Sequence, residues 1–180
     1  MKFYVIAVGE LKPDLQSRLI QMGIMAPYSH IAIMVVHENG KIEIFESIGK
    51  GIVRSELDEV LDNGGAVIRE QYELHELSVS EERAYGWLES KLGGWYSLIQ
   101  YLGFMGRLFS FFGPIGALFR RWKLVANGPA FSVCSELGAR FVLYATTINN
   151  PRLDDPDFVN PRDLCEVLHA ASITGRCKRV

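Results

Sequence analysis

Residues 29–47 read SHIAIMVVHENGKIEIFES. The first half is a β-branched apolar run and the second alternates Ile42 and Ile44 with acidic residues. Glu38-Asn39-Gly40 lies between them, so the stretch predicts an antiparallel hairpin. Loop length then decides which side chains meet. A two-residue loop of Asn39 and Gly40 pairs Val36 with Glu43 and Ile33 with Glu46, and turns His30 to the opposite face. A three-residue loop with Gly40 left-handed pairs His37 with Lys41 and sets Glu46 opposite Ala32, diagonal to His30 on one face. That register also aligns Ala32, Met34, Ile42 and Ile44 as an apolar face, which favours it. A His30–Glu46 pair is therefore expected, with Glu43 as the surface carboxylate and His37, His75 and His169 as surface histidines.

Working outward, residues 2–8 are apolar and β-rich, and 13–22 have a start signal and helical spacing. A short strand is expected around Ile52 and Val53, a short helix at Leu57, Val60 and Leu61, and a strand over 66–74. Ser80 starts a helix within 78–92, whose apolar face is Ala84, Trp87, Leu88 and Leu92. Residues 95–125 read as apolar, Gly-punctuated helix. Ser132 caps a helix through Cys134, Leu137, Phe141, Val142 and Tyr144, and residues 161–171 form the last helix. Strands and helices are segregated, which points to an α+β fold, an antiparallel sheet packed against helices, in a single domain over 1–180.

The chain has 180 residues, 48% hydrophobic and 22% charged, with a formal charge of −2. A disordered chain is excluded, and no global attraction to nucleic acid is expected. Charge is uneven: residues 1–90 hold 8 Lys and Arg against 15 Asp and Glu, and residues 91–180 hold 11 against 6. Cys134, Cys165 and Cys177 have no metal-binding spacing, so neither a disulfide framework, a metal site nor a cofactor is expected. The N-terminal residues read as a strand instead of a secretion signal, which predicts a cytoplasmic chain; its compactness fits a phage or mobile-element origin.

Residues 108–119, LFSFFGPIGALF, are flanked by Arg107, Arg120 and Arg121 and are too short to span a bilayer. Two readings of 104–123 stand: helices over the core broken at Gly113-Pro114, or a surface for membrane contact or an acyl chain.

Two residues carry chemistry. Cys134 sits in the first turn of its helix, where unpaired N–H groups lower a thiol pKa and can receive an oxyanion. His30 ends an apolar strand, where an imidazole shielded from water can pair with a thiolate. Glu46, on the same stripe as Ile42 and Ile44, needs a partner.

These residues resemble a family, the circularly permuted NlpC-type papain-like hydrolases (the YaeF/YiiX group). The resemblance lies in YSHIAIMV, IFES, GGWYSLIQYLG, SVCSELGARF and NPRDL, in the order His, acid, Cys. It implies a papain-like fold with Cys134 as nucleophile, His30 as general base and Glu46 orienting the imidazole. It implies a cysteine hydrolase or acyltransferase acting on an amide, ester or thioester of a peptide, cell-wall peptide or lipid. The alternative is an inactive papain-like module that binds a peptide or a membrane. Ser97 follows Tyr96 where the family has Asp, which leaves Tyr96 without an implied role.

Overall fold

The computed structural model describes residues 1–62, 65–94 and 134–180. The expected helix over 95–125, the apolar 104–123 segment, Tyr96, Ser97 and the Ser132 cap lie outside them.

Six strands form one antiparallel sheet: β1 (Lys2–Glu10), β2 (His30–Val36), β3 (Ile42–Ile48), β4 (Gly51–Glu56), β5 (Ala66–Leu74) and β6 (Cys177–Arg179), in the order β4-β3-β2-β1-β5-β6. Among the described residues the helices are α1 (Leu15–Ile24), α2 (Leu57–Asp62), α3 (Glu81–Glu89), α4 (Cys134–Ala145) and α5 (Pro161–Ile173). The arrangement is α+β, as the segregated pattern predicts.

The hairpin takes the three-residue register. Ala32 lies opposite Glu46 and Met34 opposite Ile44, and the His37 N–H donates to the Lys41 carbonyl at 2.9 Å. Gly40 has φ +84°, a conformation that costs a residue with a Cβ.

β1 and β2 are buried on both faces, which explains why they read as continuous apolar runs instead of alternating ones. One face carries Phe3, Val5, Ile31, Ile33, Val35 and Phe45 and packs against α3, α4 and α5. The other carries Tyr4, Ile6, Ala32, Met34 and Ile44 under Leu57 and Val60 of α2.

Helix ends follow their local chemistry. The Asp14 and Ser80 side chains accept from the N–H groups of Ser17 and Arg83. Asn160 and Asp163 form a capping box with Pro161 just inside the helix. Each such cap contributes about 1 kcal/mol.

Strand β6 has no counterpart in the sequence expectations. Three residues are too few to show a period, and this strand exists because the exposed side of β5 accepts its hydrogen bonds. Among the described residues no helix is long and apolar enough to cross a membrane.

Candidate functional site

Three segments meet at one end of the sheet. His30 opens β2, Glu46 lies near the end of β3 across the hairpin, and Cys134 opens α4. His30 Nε2 and Glu46 Oε2 are 2.9 Å apart, and Ser55 Oγ of β4 donates to the other carboxylate oxygen at 2.9 Å. The Cys134 thiol is the second partner of the same ring. The backbone N–H groups of Ile31 and Ser135 also donate toward this sulfur.

The electrostatics follow from that chain of contacts. Burial alone pulls an imidazole pKa down, but the adjoining Cys134 sulfur and the Glu46 carboxylate outweigh it and raise His30 above its ordinary value. Burial likewise pushes the Cys134 thiol up, and the His30 cation with the two backbone donors brings it below the ordinary thiol value. Glu46 is lowered as well: burial opposes ionisation, while His30 and Ser55 favour it. The arrangement stabilises a thiolate–imidazolium pair braced by a carboxylate.

The other two cysteines contrast with it. Burial pushes Cys165 up to about 12 and Cys177 up to about 11, and Cys177 Sγ donates to the Leu168 carbonyl at 3.2 Å.

How α4 comes so close to β2 is explained by Gly138. A Cβ there would lie 2.7 Å from Leu164 Cδ2 and 2.9 Å from Ile31 Cγ2, so only glycine lets the helix approach the residue next to His30. Ser135 Oγ fastens the same turn to the Val159 carbonyl at 2.6 Å. Arg140 ties α4 to the following turn through Glu136 at 2.7 Å and Asp157 at 2.6 Å. Burial pushes Glu136 up to about 7 even against its Arg140 partner.

Sequence reasoning missed Ser55 and Gly138. Ser55 was findable once β4 is extended past Val53, because Val53 pairs with Glu46 and Ser55 lies two residues along on the same face. Gly138 carries no signal in a single helix, because the overlap arises with Leu164 and Ile31.

Two expectations are corrected. Glu43 is not a surface carboxylate: its side chain is 4% exposed, because α3 covers that face of the sheet. His37, read as a surface residue, is half-buried and lies 2.8 Å from Glu43. Lys41 Nζ and Tyr85 Oη donate to the same carboxylate, each at 2.8 Å. Burial alone would push Glu43 up, but these hydrogen bonds hold it at about 2.

The fold is similar to that of a solved structure described as the metalloprotein YiiX from Escherichia coli O157:H7. The similarity has a TM-score of 0.56 at 15% identity and covers 100% of this chain and 96% of that one. Neither a protein-family model nor a curated protein sequence matches this chain. The word metalloprotein belongs to that neighbour. Among the described residues here, no three His, Cys, Asp or Glu side chains gather as a metal ion would require.

Proposed function

We propose that the chain is a papain-like, permuted NlpC-type cysteine enzyme that transfers an acyl group from an amide, ester or thioester. Cys134 is the nucleophile, His30 the general acid and base, and Glu46 the residue that orients the imidazole. The observation that carries this reading is the continuous chain from the Cys134 thiol through His30 to Glu46, with the sulfur at a helix N-terminus.

The thiolate attacks the carbonyl carbon, a C–S bond forms, and the carbonyl oxygen gains the negative charge. The amide N–H of Cys134, in the first turn of α4, is a donor for it. As the bond to the leaving nitrogen, oxygen or sulfur breaks, the His30 imidazolium gives that atom its proton. A thioester remains on Cys134. His30, now neutral, takes a proton from water or an acceptor nucleophile, which attacks the thioester and releases the thiolate. Glu46 stays ionised throughout and stabilises the imidazolium.

The test is incubation of the full chain with p-nitrophenyl acetate, read by intact mass. The expected result is a single acetyl adduct, absent from Cys134→Ala, that disappears as substrate is exhausted. Absence of any adduct on Cys134 overturns the proposal and leaves a binding module in its place.

A further inference from the structure

A cavity of about 380 Å³ lies between α3, α4 and β4. Its walls include Ile52, Trp87, Lys91, Leu137, Arg140 and Tyr144. It runs along the stretch of α4 that follows the proposed nucleophile. Leu137 is three residues, about 4.5 Å of helix rise, beyond Cys134. Ile52 lies opposite Ser47, the residue after Glu46. The size is that of a small-ligand site.

The lining has a specific chemistry. Trp87 and Tyr144 stack with centroids 5.5 Å apart and planes 19° apart, making a flat aromatic wall. Lys91 Nζ stands 5.0 Å above the Trp87 ring. The two cations at the cavity are not equivalent. Arg140 is held by Glu136 and Asp157, so its charge is already matched within the protein. Lys91 has no ion pair among the described residues, and its contact there is with the indole face. An aromatic and aliphatic cavity with one ammonium that has no ion pair among the described residues suits a ligand with an apolar body and a single anionic end.

We propose that this cavity receives the acyl portion of the substrate and selects groups whose apolar or aromatic body ends in a carboxylate, with Lys91 as the counter-ion. The position of the cavity as an acyl site rests on the reading of Cys134 as nucleophile; its preference for an apolar carboxylate does not.

Two measurements separate these. First, the Cys134→Ala chain is titrated with 4-phenylbutyrate and with 4-phenylbutan-1-ol, following the Trp87 indole N–H by NMR (assigned with Trp87→Phe). Both ligands move this resonance, the carboxylate at about five- to tenfold lower concentration. Lys91→Gln brings the two within about twofold, and the alcohol continues to bind that variant. No movement of Trp87 with either ligand, or a carboxylate preference unchanged in Lys91→Gln, overturns the pocket.

Second, wild-type chain is acylated with the p-nitrophenyl monoester of glutaric acid and with p-nitrophenyl pentanoate. The Cys134 thiolate forms the C–S bond and p-nitrophenolate departs. The glutaryl ester reacts faster, and Lys91→Gln removes that advantage. If the first measurement succeeds and neither ester acylates Cys134, the nucleophile reading fails while the pocket stands. Equal rates for the two esters in wild type overturn the assignment of the cavity to the acyl group.

Discussion

The β2–β3 hairpin holds two His–Glu pairs, His30–Glu46 and His37–Glu43, at 2.9 and 2.8 Å. Each uses Nε2 and Oε2, and the two carboxylates fall on opposite faces of the same strand. Their surroundings set them apart. Glu43 gathers Lys41 and Tyr85 in addition to its histidine, and Arg54 comes within 3.6 Å. Its negative charge is fully committed to structure, and the His37 ring sits edge-on to Tyr85 at 5.4 Å. Glu46 has a neutral second partner, Ser55, and its histidine also interacts with a thiol. The same pair therefore braces the fold at one end and polarises a sulfur at the other. What lies beyond the imidazole makes the difference.

The largest contrast is expected from removing each histidine. His30→Gln lowers acyl transfer from p-nitrophenyl acetate by about 10²- to 10⁴-fold, the usual effect of losing a general base, and also lowers stability because the buried Glu46 carboxylate loses its partner. His37→Gln leaves the rate near wild type and lowers stability by about 1 kcal/mol. Parallel rate and melting measurements on both variants check this. Equal loss of activity in the two erases the distinction.

Next in size is the acid side of the stability curve. A folded carboxyl held at about 2 against an ordinary 4.5 contributes stability that is complete above the unfolded value and is lost as pH falls toward 2. At about 1.4 kcal/mol per pH unit, Glu43 supplies on the order of 3 kcal/mol. Denaturant titrations of wild type and Glu43→Gln should therefore show a gap that closes by about that amount between about pH 6 and pH 2. Parallel curves contradict it.

Gly138→Ala comes third. Overpacking against Ile31 and Leu164 costs about 1–3 kcal/mol, partly offset by the better helix propensity of alanine. Because the helix moves away from Ile31, alkylation of Cys134 slows as well, which a purely structural role would not produce. Denaturant midpoints and alkylation rates measured together check both parts.

The smallest effect belongs to Ser55→Ala. Glu46 loses one hydrogen bond, about 1 kcal/mol, and acyl transfer falls about fivefold through poorer support of the imidazolium. A steady-state comparison of kcat reads it, and an unchanged kcat removes Ser55 from the positioning of the site.

These two pairs also mark what a sequence can reveal. Turn chemistry and the alternation of Ile42, Ile44 and Glu46 specify the register, and from the register Ala32 and Glu46 follow. Local rules reach that far because hairpin partners are close in sequence. The same alternation leads Glu43 to be read as solvent-facing, since nothing local announces that α3, some forty residues later, brings Tyr85 over it. The order of the sheet, with β1 between β2 and β5, depends on long-range pairing and is likewise invisible to periodicity. At the candidate site, Cys134 and His30 each draw notice from their own neighbours. Their contact depends on Gly138 and on where α4 crosses β2, which only three-dimensional packing supplies. Cys177 tells the same story: nothing in its local sequence marks it as buried, yet β6 packs it beside Leu168.

The most direct measurement is the rate of iodoacetamide alkylation at each cysteine across pH, resolved by peptide mass spectrometry. The account predicts that Cys134 reacts with an inflection well below the free-thiol value of about 8.5. It also predicts that His30→Gln shifts that inflection upward while Cys165 and Cys177 stay slow throughout. An inflection for Cys134 at or above the free-thiol value, unmoved by the loss of His30, would contradict the coupling of thiol, imidazole and carboxylate on which the proposed chemistry depends.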